Sequence, residues 1–153
     1  MAEVFVSERI GAQVVVFSHD HCPPHVSVLQ RGEAWTARIG FSFVTDAVSL
    51  WDVEPLRNTP RRRVVGLLLD EVQDHLAACR RCWWSVQGTT CLEGRLALAQ
   101  DRTASGTLTL LSRRRGQVRQ VRAAVYDPDN EDLGIVFSDG SKTAIKAGTG
   151  DEA

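Results

Sequence analysis

From Thr59-Pro60 to Trp83 the chain carries a single helical stripe, while on either side of it the apolar residues keep a period of two. Val65, Leu68, Leu69, Val72, Leu76, Cys79 and Trp83 recur mostly at spacings of three and four. A helix over about 60–85 therefore has one face to bury. Thr59 suits its N-cap, Pro60 its first position, and Gly88 its end. One long amphipathic helix among strands restricts the fold to the α+β class. The expectation is a small antiparallel sheet packed on that helix, followed by a β-meander lobe.

The strand patterns divide around the helix. Residues 3–6 and 13–18 are β-branched and aromatic and are separated by a turn at Gly11. Residues 25–30 and 34–39 alternate around Arg31-Gly32-Glu33, which predicts a hairpin. Residues 41–53 predict one further strand and a connection. After the helix, 91–100 has weak helical character, and 107–111 and 118–125 read as strands. Asp127-Pro128-Asp129-Asn130 turns the chain, and 134–137 and 142–145 flank the tight turn Ser138-Asp139-Gly140. The expected organisation is a ββ(ββ)α lobe at 1–90 and a β-rich lobe at 105–147. Cys91 to Ala104 joins them, and residues 148–153 form a flexible tail.

Composition narrows the classes of function. At 153 residues the chain can form one ordinary domain or two small lobes. A formal net charge of −1 gives no global attraction to nucleic acid or anionic membrane, so local patches must carry any such role. Sixteen of the 18 cations are arginines, whose forked guanidinium suits phosphate and carboxylate. No signal pattern opens the chain and no apolar run approaches a membrane span. A cytoplasmic location without membrane contact follows as an expectation, with the four cysteines as thiols or metal ligands. There is no phosphate-binding loop, dinucleotide fingerprint or nucleophile elbow.

The densest chemistry lies in His19-Asp20-His21-Cys22-Pro23-Pro24-His25, which holds three of the four histidines. The Pro-Pro pair fixes two φ angles and stiffens the loop. His19, His21 and His25 offer three imidazoles for a divalent metal with an open fourth position. Alternatively Asp20, His21 and His25 offer acid–base chemistry, and a third reading is a structural turn.

The stretch from Phe17 to Val28, followed by Gly32-Glu33-Ala34 and a strand, resembles the bacterial family called domain of unknown function 4160. Asp20, His21, Pro23, Pro24 and His25 match its Asp-His-x-Pro-Pro-His segment, and Ser27 stands where the family usually has a last histidine. His75, Leu76 and Trp83 or Trp84 are similar to its helix signature, at a different spacing. Asp132-Leu-Gly-Ile-Val-Phe-Ser-Asp-Gly140 resembles a second family, domain of unknown function 2442. Together the resemblances imply a fusion of two small partners of the kind encoded side by side, in arrangements like toxin–antitoxin pairs.

Two further groups stand out. His75, Cys79 and Cys82 share one flank of the predicted helix, and with Cys91 they offer four ligands for a structural zinc. The alternative is that the cysteines are small apolar core groups. Arg61, Arg62 and Arg63 oppose the helix dipole, and Arg113, Arg114 and Arg115 with Arg119 and Arg122 form a second basic cluster. Both are candidate partner-binding groups, for nucleic acid among others, as is Trp84, which points away from the apolar face. The function expected first is a small bacterial interaction module, toxin–antitoxin-like, that binds a protein or nucleic-acid partner. The alternative is a metal-dependent hydrolase, a nuclease among the candidates, using the histidine loop and its metal-bound water.

Overall fold

The computed structural model describes residues 1–99 and 107–153. The fold is α+β, with two helices and eleven strands in two sheets among the described residues. The chain forms two compact units, one of residues 1–42 and 47–88, the other of residues 43–46 and 89–153. The expected linker at 91–104 is part of the second unit as far as Ala99. Its remainder lies outside the described residues.

In the first unit β1 (Ala2–Ser7), β2 (Ala12–Val16), β3 (His25–Gln30), β4 (Trp35–Gly40) and β5 (Ser49–Glu54) form an antiparallel sheet in sequence order. Gly11 turns between β1 and β2 with φ +67°, a conformation glycine reaches without penalty. β3 is central, and Val26 and Val28 on one face and His25 and Ser27 on the other are all buried. The strand expected within 41–53 begins only at Ser49. Phe41, Phe43 and Val44 are buried without belonging to a strand.

The single helix expected over 60–85 is two. A 3-10 turn at Leu56–Asn58 precedes α1 (Arg62–Asp74), and α2 (Leu76–Gln87) follows after one non-helical residue, His75. Neither proline nor glycine causes the break. The His75 Nδ1 lies 2.7 Å from the Glu71 carbonyl, and its ring stacks on Phe5 with centroids 4.0 Å apart. These side-chain contacts lie at the one residue that departs from helical geometry, with φ −111° and ψ +22°. Thr59 does not cap α1 either, because its hydroxyl donates to the Leu56 carbonyl and Arg61 takes the N-cap position. Gly88 ends α2 in the left-handed region as expected. α2 packs along β1 and β2, where the Cys82 thiol reaches the Ala2 carbonyl at 3.9 Å.

In the second unit β6 (Leu96–Leu98), β7 (Thr109–Leu111), β8 (Val118–Asp127), β9 (Asp132–Phe137), β10 (Lys142–Lys146) and β11 (Asp151–Glu152) form a sheet ordered β10-β9-β8-β6-β7-β11. The helical character read at 91–100 gives way to β6. The tail expected to be flexible supplies β11, which pairs in parallel with β7. Gly150 admits this, since a Cβ there would lie 2.9 Å from the Leu108 carbonyl. β8, β9 and β10 form the expected meander. A bulge between Val121 and Ala123 resets the parity of β8. Leu110, Val121, Tyr126, Leu133, Ile135 and Phe137 fill the core, with Phe43 edge-on to Tyr126 at 5.0 Å.

Candidate functional site: a polar cleft beside the histidine loop

The sheet register builds a polar row across the first unit. Ser27 on β3 faces Arg38 on β4, and Arg38 faces Asp52 on β5. Because side chains alternate, Ala37 and Ile39 enter the core while Arg38 stays on the open face. Arg38 donates through Nε to Asp52 Oδ1 at 2.9 Å and to Oδ2 at 3.1 Å, and its Nη2 also bonds Oδ2. This bond holds the Asp52 carboxyl below its ordinary range. A cleft of about 420 Å³ lies over the row, walled by His19, Asp20, His21 and Cys22 on one side and Trp51 on another.

The loop is held from within. Asp20 Oδ2 accepts the Phe17 N–H at 2.8 Å, and Asp20 Oδ1 lies 3.3 Å from His25 Nε2. His25 Nδ1 lies 3.0 Å from the Pro23 carbonyl. A carbonyl only accepts, so Nδ1 is the donor of that pair, and Nε2 faces the carboxylate. Both side chains are nearly enclosed, at 5% exposure for His25 and 9% for Asp20. The His25 ring lies between Trp51 (4.8 Å) and Trp83 (5.3 Å). The Phe41 N–H donates to the Pro24 carbonyl, and the Gln87 side chain donates to the Phe17 carbonyl. The Cys22–Pro23 bond is cis.

The three imidazoles do not converge. With one nitrogen of His25 on Pro23 and the other on Asp20, the ring aims no lone pair at His19 or His21. His19 stacks on Phe17 at 5.2 Å, and His21 is exposed. Asp20 and His25 are brought together as an acid–base pair, but inside the loop, with His21 outside it.

The helix set is likewise dispersed. His75 stacks on Phe5 and is exposed, whereas Cys79 is fully buried. Burial pushes the Cys79 thiol up to about 12, which opposes a metal-binding thiolate. Cys82 is half-buried and its thiol is raised by the same cause. Cys91 is disulfide-bonded, which corrects the expectation of four thiols and removes it from a zinc set. Among the described residues no three His, Cys, Asp or Glu side chains form a metal-ligand group.

Arg61, Arg62 and Arg63 are exposed at the start of α1. Arg113, Arg114 and Arg115 are exposed between β7 and β8. Arg119 does not join them, because its guanidinium lies 4.1 Å over the Phe137 ring and donates to the Ser141 hydroxyl. Arg122 is exposed at the bulge, and Trp84 is half-buried. Sequence reasoning missed the cleft residues Arg38, Trp51 and Asp52. Arg38 was legible as the polar member of an alternating strand, but its partner was not.

No family model matches the chain, and neither a curated protein nor a solved structure matches it. No helix among the described residues is long and apolar enough to cross a membrane.

Proposed function

We propose that this protein is a small interaction module, of the toxin–antitoxin-like kind that its loop resembles, and that it binds a protein partner through the polar cleft. The observation that carries this reading is the internal use of both His25 nitrogens. They fasten the loop instead of facing a substrate, so the loop acts as a stiff wall for recognition. The exposed side chains that line the cleft include Arg38, His21 and the indole of Trp51, which is 38% exposed. Tryptophan and arginine are the residue types that most often dominate binding energy at protein interfaces. A pre-ordered wall also lowers the entropy lost on association.

The test compares wild type with Trp51→Ala and Arg38→Ala in affinity capture, followed by calorimetry on the captured protein. Each variant is expected to keep its fold and to lose about 2 kcal/mol of binding, as a central interface residue does. Equal binding by all three proteins would remove the cleft from the interaction. Turnover of a nucleic acid or ester that is lost in His21→Ala would favour a hydrolase instead.

A further inference from the structure

A separate feature of the first unit points to a second kind of partner, independently of the cleft. Arg57, in the 3-10 turn, and Arg61, Arg62 and Arg63, at the start of α1, place four guanidiniums within seven residues, all exposed. No acidic residue occurs between Glu54 and Asp70, a stretch that holds all four arginines. None of the four forms an ion pair or a side-chain hydrogen bond among the described residues. The cluster also stands at the positive end of the helix dipole, with no acidic residue in the first turn and no side chain capping the N-terminus. In a chain of net charge −1 this is a local concentration of like charge that the fold leaves unbalanced.

The helix surface beside it is bare. Gly66 lies one turn after Arg62 on the same face, and nothing stands within 4 Å of where its Cβ would be. Glycine inside a helix weakens it relative to alanine, and no close packing at this position accounts for its presence. A bare backbone beside arginine forks lets an extended polyanion approach closely. Arginine matches phosphate oxygens in a bidentate way, and no aromatic ring lies in this segment to read bases.

We propose that Arg57, Arg61, Arg62 and Arg63, with the open face at Gly66, bind the phosphate backbone of nucleic acid without sequence preference. Each phosphate neutralised contributes about −0.9 to the slope of log affinity against log salt on duplex DNA. Four contacts therefore give a slope of roughly −3 to −4, and affinity falls about 10²-fold between roughly 50 and 200 mM salt.

The experiment is fluorescence anisotropy with a labelled mixed-sequence DNA duplex over that salt range, with vesicles containing phosphatidylserine in parallel. In the Arg61→Gln/Arg62→Gln/Arg63→Gln variant the slope is expected to fall to about −1. Removing mutual repulsion should not unfold α1, which circular dichroism checks. Gly66→Leu keeps every charge and favours the helix, and it is expected to weaken binding several-fold with the slope retained. A folded triple variant with the wild-type slope would overturn the proposal, as would absence of duplex binding at the lowest salt. Arginine-dependent binding to the vesicles without binding to the duplex would also overturn it, in favour of a membrane surface.

Discussion

The indole of Trp51 occupies the space that any side chain at position 40 would need. A Cβ on Gly40 would collide with its Nε1 and lie 2.5 Å from its Cε2. The glycine is thus a seat that lets a large ring lie against β4, next to His25 and at the mouth of the cleft. Gly40→Ala is expected to displace the indole and destabilise the protein by roughly 1–3 kcal/mol, the usual range for overpacking. The measurement is urea unfolding together with tryptophan emission, which should shift to longer wavelength. Wild-type emission with unchanged stability would refute the seat.

Asp20 supports the loop through two bonds, one to the Phe17 amide and one to His25. Asp20→Ala leaves an amide and an imidazole nitrogen without their partner in a nearly closed space. A loss of about 2–3 kcal/mol is expected, as for removal of a charged hydrogen-bonding group, and equilibrium unfolding measures it. If His25 were held chiefly by its two tryptophan neighbours, the loss would be under about 1 kcal/mol.

The Arg38–Asp52 pair makes a directional prediction about acid. Hydrogen bonding from Arg38 depresses the Asp52 carboxyl in the folded state. Its contribution is therefore fully present above the ordinary value of 3.8 and is lost as pH falls through the lower folded value. Because the pair is partly exposed, the contribution at neutral pH is less than about 1 kcal/mol. Arg38→Gln should flatten stability against pH below about 4 and leave the slope near neutrality unchanged. Thermal melts from pH 2 to 7 test this, and an identical acid limb in the variant would count against it.

The two free thiols should differ in reactivity. Cys79 is buried with its thiol pushed up to about 12, while Cys82 is half-buried with a smaller rise. Iodoacetamide at pH 8 is expected to modify Cys82 first and to reach Cys79 only on unfolding, because the thiolate is the reactive form. Peptide mass spectrometry over time reads the order. Reaction of Cys79 first would show that α2 opens locally.

Much of the first unit was legible because its strands alternate. Arg31-Gly32-Glu33 marked the β3–β4 turn, and the helical stripe ended at Gly88 as read. What escaped the sequence depended on partners distant along the chain. Nothing local in His75 marks a helix break, since the Phe5 ring it stacks on belongs to β1. In the sequence the three imidazoles of the loop stand together as one candidate metal set. Only the fold separates His25, fastened inside, from His19 and His21 at the wall. The cleft itself is a property of register: Arg38 and Asp52 are fourteen positions apart, and no local pattern joins them. The tail looked polar and loose because two residues of strand carry too little pattern to read, yet β11 lies along β7.

The row Ser27–Arg38–Asp52 also bears on which changes of length the chain can accept. The pleat that lifts Arg38 into the cleft sends Ala37 and Ile39 into the core. One residue inserted between Trp35 and Gly40 would invert that assignment, burying a guanidinium and exposing isoleucine. Fold and cleft would fail together. Gains and losses of residues should therefore be confined to the turns, and the interior of β4 should vary by substitution alone.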